Sequence, residues 1–364
     1  MPRLALCLNA PRTLAFVEEK SHPIEPHEVR LRTLFSGIST GTELATYRGT
    51  SPFMRKRWDK DLRLFLDDPS NESLHYPVTG WGYEQVGEVV EVGSDVQDVP
   101  LGSVVYGIWG HRTEHIADAQ YARERTLPPD ADPIIGIFSH IGATALNAIL
   151  DSAIRLGETV AVFGLGVVGQ LVAQLARLSG AQVIGVDLLP SRLDVARRCG
   201  IEHALNPVDD TAAVAIKRLT GGRGADVCIE ASGSTRALNE AIGACAYSSR
   251  VVALGFYQGE AQGLFLGEEL HHNRISIVCS QIGGVALELQ HRWDRARLVR
   301  TFMDLALHGK VQLHPLITHI VPASEAPALF KLLDEDPSEV LQAVLDFRHE
   351  FDPADSIPQA EARP

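Results

Sequence analysis

The segment Gly164-Leu165-Gly166-Val167-Val168-Gly169 constrains this chain more than any other part of it. It follows the apolar run Thr159–Phe163, which is short enough for a buried strand. It opens a stretch, Val167–Leu178, whose apolar residues recur at helical spacing. G-x-G-x-x-G between a strand and a helix is a dinucleotide fingerprint. Gly164 permits the tight turn, Gly166 lets backbone approach a pyrophosphate, and Gly169 lets helix and strand pack closely. Free N–H groups at the helix start then face the phosphates. Asp187 ends the next strand, Gln182–Asp187, about 20 residues on, where a carboxylate accepts from ribose hydroxyls and repels a 2′-phosphate. NAD is the cofactor expected. NADP stays open, because Arg192 follows closely and can either flank the adenosine or accept a 2′-phosphate.

The pattern continues on both sides of the turn. Helix Ser191–Arg198 stops at Gly200, and strand Asp226–Ala231, helix Thr235–Ala246, strand Arg250–Gly255 and strand Arg274–Cys279 follow. Strands alternating with helices predict a doubly wound parallel sheet over residues 142–283. Before it, Leu4–Leu8 reads as a first strand. Runs such as Glu28–Thr33, Gln85–Val92 and Gly102–Gly107, separated by Gly, Pro and Asp, read as a mostly β part. After Gly284 come helix Asp294–His308, strand Ile317–Val321 and a helix–strand pair ending near Phe347. The tail Arg348–Pro364 is polar and expected to be mobile.

Composition narrows the function. At 364 residues, 45% hydrophobic and 22% charged, the chain reads as a two-domain globular protein. A net charge of −13 argues against nucleic acid and anionic membranes as partners. No apolar run is expected to reach the ~20 residues of a membrane span. The N-terminal apolar run is too short for a signal peptide, so a cytoplasmic location is expected. Five scattered cysteines fit a reducing compartment without a disulfide framework.

Several further segments carry a family resemblance. They are Ser36-Gly37-Ile38-Ser39-Thr40-Gly41-Thr42-Glu43, Gly82-Tyr83-Glu84-Gln85-Val86-Gly87 through Gly93, Glu230-Ala231-Ser232-Gly233, and Leu313-His314-Pro315-Leu316-Ile317-Thr318-His319. With the turn at 164–169, they make the chain resemble the medium-chain dehydrogenase/reductase family, the zinc alcohol dehydrogenase relatives. The resemblance implies an α/β architecture. A GroES-like, mostly β catalytic domain (1–141 and 284–364) would carry a Rossmann doubly wound parallel sheet (142–283), with the active site in the cleft between them. It also implies a homodimer or homotetramer, in dimers through a strand corresponding to Arg274–Cys279. Candidate cofactor contacts are Gly164, Leu165, Gly166, Val167, Val168, Gly169, Asp187, Arg192, Thr144, Ala231 and Leu254.

The same comparison shows a departure. Ser39 stands where the family's first zinc-binding Cys would be, Tyr83 where its His would be, and His140 at the third ligand position. Neutral Ser and Tyr oxygens are poor zinc ligands, and the family's four-Cys lobe is missing, so no catalytic or structural zinc is expected. Glu84, His115 and His140 form a rival metal set. Without a metal, a side chain must handle the hydroxyl proton. Tyr83 is the first candidate, its pKa lowered by a neighbouring cation such as the nicotinamide or a protonated His140. His140 is the second, and Ser39 and Thr42 are hydroxyl partners. Thr42 matches the family's relay hydroxyl, while Ala45 replaces its relay His.

The stretch between Glu43 and Tyr83 is longer than in most zinc members. Met54-Arg55-Lys56-Arg57-Trp58 is basic and aromatic, Leu62, Phe65 and Leu66 recur at helical spacing, and Asp67-Asp68-Pro69-Ser70-Asn71 breaks the pattern. An amphipathic lid helix is one expectation, its Arg and Lys meeting an anionic small-molecule substrate. A solvated face packing Trp58 and Phe65 is the other. The function expected is zinc-independent, NAD-dependent hydride transfer between a nicotinamide and a secondary alcohol or ketone, on a polyol, sugar, cyclitol or larger hydroxy compound. The alternatives are a zinc-free NADPH double-bond or quinone reductase, and a non-enzymatic cofactor-binding protein.

Overall fold

The computed structural model describes residues 3–20, 22–67, 74–207 and 211–349. Two compact units divide the chain. One joins Met1–Phe138 to His319–Pro364, and the other is Ser139–Thr318.

The first unit opens with a hairpin of β1 (Leu4–Ala10) and β2 (Thr13–Glu18). Strand β3 (Glu28–Ile38) leads into helix α1 (Thr40–Arg48), followed by a second hairpin, β4 (Lys56–Asp59) and β5 (Leu64–Asp67). Strands β6 (Glu84–Val92), β7 (Val104–Gly107) and β8 (Glu114–Asp118) and the short helix α2 (Ala119–Arg123) complete the N-terminal part.

The second unit runs from α3 (Ser139–Ser152) through β9 (Thr159–Phe163), α4 (Val167–Leu178), β10 (Gln182–Val186), α5 (Pro190–Arg198) and β11 (His203–Leu205). Helix α6 (Ala212–Leu219), β12 (Ala225–Glu230), α7 (Thr235–Ala244), β13 (Cys245–Ala253), β14 (Ser276–Cys279) and α8 (Arg295–Leu307) follow. The chain then returns to the first unit with β15 (Ile317–Pro322), α9 (Ala326–Glu335) and β16 (Gln342–Asp346).

In the second unit the sheet order is β11-β10-β9-β12-β13-β14, and the pairs are parallel. This is the order of a doubly wound dinucleotide-binding sheet. All five residues of β9 are buried, as a strand covered on both faces requires. In the first unit β15, β16, β3, β6 and β7 lie side by side, with β8 also on β3. One core gathers Leu4, Leu6, Phe16, Ile38, Tyr47 and Phe330 from the first hairpin, α1 and α9, and the sheet. A second gathers Val29, Leu31, Val89, Val105 and Trp109.

Three expectations change. Segment 284–318 falls within the second unit, which holds the parallel sheet. A Cβ at Gly142 would lie 2.0 Å from the Phe302 ring, so α3 and α8 touch closely, and Gln174 Oε1 accepts from Gln312 N at 2.7 Å. The apolar stretch Pro133–Ser152 does reach 20 residues and is apolar enough to cross a membrane, but 78% of it is buried inside the protein. The lid helix is a hairpin. Trp58 faces Phe65 across β4 and β5 with ring centroids 5.0 Å apart, and Phe53 adds a second edge contact to Phe65 at 5.1 Å. The Asp59 side chain accepts from the backbone of Asp61 and Leu62 at 3.0 and 2.8 Å and closes the turn. Aromatic cross-strand pairing and this Asx turn outweigh the helical spacing of Leu62, Phe65 and Leu66. The breaker at 68–71 and the tail from 350 onward lie outside the described residues.

Candidate active site

The glycine turn has two kinds of glycine. Gly164 holds φ at 86°, and a Cβ there would lie 2.7 Å from Ser232 Cβ. A Cβ on Gly169 would fall 1.8 Å from the Gly164 carbonyl oxygen. Gly166 differs, because a Cβ there meets nothing within 4 Å. It is the N-cap of α4, and no side chain caps the helix. The first turn of α4, which includes Val167 and Val168, is thus uncapped, and the space beside Gly166 is open, which is the arrangement a phosphate needs.

Asp187 braces this turn. Its Oδ2 accepts from Leu165 N at 2.7 Å and its Oδ1 from Leu189 N at 2.9 Å, with Arg192 Nη1 3.6 Å from Oδ2. Each carboxylate oxygen keeps a second lone pair for a ribose hydroxyl. Leu165 is fully buried and its N–H is held by Asp187, so its side chain belongs to the core. At the ends of β12 and β13, the buried Glu230 carboxylate accepts from Ser232 N at 2.7 Å, Gly233 N at 3.1 Å and the Tyr257 hydroxyl at 2.5 Å. Its carbonyl accepts from Leu254 N at 2.9 Å, and Ala231 N donates to Phe163 O at 2.8 Å. These bonds fix the loops carrying Ala231 and Leu254. Thr144 Oγ1 donates to the His140 carbonyl within its own helix at 3.1 Å.

In the first unit the chemistry gathers where β3 runs into α1. Ser39 is the N-cap of α1, yet its hydroxyl does not cap the helix. Glu43 Oε1 accepts from Ser39 N at 2.9 Å instead. The Ser39 hydroxyl is hydrogen-bonded to the Tyr83 hydroxyl, which also lies 3.2 Å from Thr42 Oγ1. A phenol has one proton, so Tyr83 donates to one of these hydroxyls and accepts from the other. Glu84 is fully buried, and its Oε2 accepts from Gln342 Nε2 at 3.1 Å. A Cβ on Gly37 would lie 2.4 Å from that oxygen, so glycine makes room for the carboxyl. Burial, then the charges of Glu84 and Glu43, push the Tyr83 phenol above its ordinary range, against the hydrogen bonds from Ser39 and Thr42. Burial and the Glu43 charge raise Glu84 well above the usual carboxylate range. Tyr83 therefore keeps its proton at neutral pH.

His140, on α3, is not the cation expected beside Tyr83. Burial and the Arg295 guanidinium lower its pKa to about 4, so the ring is neutral at pH 7. Its Nδ1 accepts from Arg295 Nη2 at 3.2 Å. His115 stacks on Trp109 with ring centroids 5.4 Å apart. Among the described residues no three His, Cys, Asp or Glu side chains group to hold a metal ion. The three residues that the resemblance sets at ligand positions are poorly suited donors for zinc. Ser39 and Tyr83 offer neutral hydroxyls already bonded to each other, and an arginine occupies one nitrogen of His140.

Comparison with known proteins places this geometry. A family model described as zinc-binding dehydrogenase matches residues 167–298. The D-guloside 3-dehydrogenase of Escherichia coli (strain K12) is 32% identical over 349 residues, covering 94% of this chain and 99% of that protein. The chain belongs to the zinc-type alcohol dehydrogenase-like family of medium-chain dehydrogenases/reductases. Like other members of this medium-chain family, it is an oxidoreductase acting on CH–OH groups and combines a GroES-like with a Rossmann domain. The fold matches 2R,3R-butanediol dehydrogenase from Bacillus subtilis with a TM-score of 0.75 at 21% identity, covering 94% of this chain and 99% of that one. It also matches a zinc-binding dehydrogenase from Sinorhizobium meliloti 1021 bound to NADP, with a TM-score of 0.73 at 20% identity, covering 95% and 99%.

The site contains residues the motifs did not single out. Glu43 lies inside the Ser36–Glu43 motif, but its bond to the Ser39 backbone shows only in the folded helix start. His111 sits four residues before His115 in the same turn-rich segment, and it is the buried one. Arg295 and Gln342 are far from their partners in sequence and leave no local signal.

Proposed function

We propose that this protein is a zinc-independent, NAD-dependent dehydrogenase that interconverts a secondary hydroxyl and a ketone on a sugar, polyol or glycoside. The observation that carries the reading is the hydroxyl cluster of Tyr83, Ser39 and Thr42 at the positions where zinc-type members place metal ligands and relay groups. The relatives named for guloside, sorbitol and threonine oxidation favour an alcohol over a flat apolar quinone or an alkene.

Gly166 and the start of α4 would hold the pyrophosphate, and Asp187 the adenosine ribose. When bound, the nicotinamide supplies the hydride acceptor for oxidation or the donor for reduction. Tyr83 donates its phenolic proton to the oxygen of the ketone as charge develops there. Thr42 and Ser39 solvate the phenolic oxygen as it loses that proton, the role oriented donors play around a developing anion. The N-terminus of α1 points at the same hydroxyls and adds a favourable dipole.

The test is a screen of sugar and polyol secondary alcohols and their ketones with NAD(H) and NADP(H), in chelator and with added zinc. Turnover unchanged by chelator is the expected result. Loss in chelator, restored by zinc, refutes zinc independence. Cofactor choice has its own check. Asp187→Asn removes the charge that opposes a 2′-phosphate, and the ratio of kcat/KM for NAD over NADP is expected to fall about tenfold, equivalent to ~1.4 kcal/mol. An unchanged ratio removes Asp187 from cofactor selection.

A further inference from the structure

A buried circuit of hydrogen bonds runs behind the hydroxyls of Tyr83 and Ser39. Ser36 Oγ accepts from Gln85 Nε2 at 3.0 Å and lies 2.7 Å from His111 Nδ1. With the Ser36 proton given to Nδ1, His111 Nε2 is left to donate to Glu43 Oε2 at 2.8 Å. The other oxygen, Glu43 Oε1, accepts from the Ser39 backbone N–H at 2.9 Å. Gln85 Oε1 is anchored in turn by Trp109 N at 2.9 Å and Gly110 N at 3.2 Å. Glu43 and His111 are both almost fully shielded from solvent, at 3% and 2% exposed. Trp81 packs edge-on against the imidazole at 5.3 Å, and Phe330 does so at 6.2 Å.

An N-cap serine normally turns its own hydroxyl onto the helix N–H groups. Here Glu43, one position beyond the glutamate of a capping box, takes the N-cap backbone N–H while the serine hydroxyl is turned elsewhere, onto Tyr83. A buried carboxylate is costly unless every lone pair it presents is answered. Such a group specifies one geometry, because moving either oxygen leaves a donor unpaired.

We infer that Glu43, locked by His111, is a positioning residue that holds Ser39 with its hydroxyl on Tyr83. This rests on the reading of Tyr83 as the proton donor, but its test does not need turnover. The full chain is labelled with [13Cζ]tyrosine, and the Tyr83 resonance is assigned by its loss in Tyr83→Phe. In Glu43→Ala the Tyr83 resonance is expected to move by more than the spread of changes among the other tyrosines, with those left in place. In Glu43→Gln, whose side-chain carbonyl still accepts from the Ser39 N–H, it is expected to return to the native position. An unmoved Tyr83 resonance in a folded Glu43→Ala protein overturns the inference. So does an equal shift in Glu43→Gln, which would mark a charge effect and not a positional one. If Glu43→Ala does not fold, Glu43→Asp decides. Its shorter arm keeps the charge but cannot span Ser39 and His111, so a shift supports the inference and none overturns it. Full kcat in Tyr83→Phe, by contrast, would sink only the catalytic reading.

Discussion

Tyr83→Phe is expected to lower kcat for ketone reduction by about 10²–10³-fold, the usual share of a positioned general acid. That loss corresponds to about 3–4 kcal/mol of barrier. KM and NADH affinity are expected to stay within about twofold, since Phe keeps the ring and the dinucleotide turn lies on other elements. Loss of the phenol removes the partner that Ser39 and Thr42 share, and neither hydroxyl can reproduce its reach. The direction of the Tyr83 shift sets the pH dependence. Its pKa is raised above an ordinary value near 10, so the protonated donor persists throughout the neutral range. Reduction should therefore show no falling limb from Tyr83 below about pH 10. Oxidation, which needs the deprotonated oxygen as acceptor, should rise with pH over that range. Pre-steady-state and steady-state rates in both directions from pH 6 to 10 check this. A Tyr83→Phe enzyme with native kcat transfers the proton role elsewhere, with neutral His140 the next group to vary.

The parts of this protein that could be read from its sequence are those whose forces act locally. Strand Thr159–Phe163 and helix Val167–Leu178 match the structure end for end, because a fully buried strand is a continuous apolar run and α4 has a strong one-sided apolar stripe. Strand and helix ends elsewhere drift by a few residues. Strand β13 starts at Cys245 and not at Arg250: Cys245 pairs with Ala225, and the register then shifts across Ser248, at φ 61°, before Arg250 pairs with Val227. The hairpin over residues 56–67 defeated periodicity. Leu62, Phe65 and Leu66 carry helical spacing, but Asp59 captures two backbone N–H groups and sets a turn among them.

The site divides along the same line. Tyr83, Ser39 and Thr42 were visible as chemistry in motifs, and the fold brings their hydroxyls together. Their electrostatics were not visible. The expected cation at His140 is neutral because the ring is buried and because Arg295, distant in sequence, sets its guanidinium against it. The expected fall in the Tyr83 pKa is a rise, because the phenol is buried and the Glu84 and Glu43 carboxyls lie near it. Motifs name the residue types, but burial and partner charge decide their protonation, and both are properties of the packed chain.

Gly166→Ala and Gly169→Ala should separate binding from folding within one turn. A methyl at 166 meets nothing within 4 Å, and the Gly166 dihedrals of φ −63° and ψ −178° suit any residue. Stability should hold or rise by up to about 1 kcal/mol through the less flexible unfolded chain. The same methyl would stand in the space in front of the uncapped α4 N–H groups. NADH affinity is expected to fall by at least about 30-fold, roughly 2 kcal/mol or more. Gly169→Ala behaves differently, because its Cβ would fall 1.8 Å from the Gly164 carbonyl oxygen, and a backbone atom cannot rotate away. The turn must open, costing about 1–3 kcal/mol as overpacking does. The melting temperature should then drop by several degrees, at about 2–4 °C per kcal/mol in a domain of this size, along with NADH binding. Fluorescence titration with NADH and thermal unfolding read both effects on the same samples. If Gly166→Ala binds NADH as the native protein does, the open space at 166 is not the phosphate cradle. The chain would then have to hold its cofactor at a place other than the start of α4, and the dinucleotide fingerprint would be a packing motif alone.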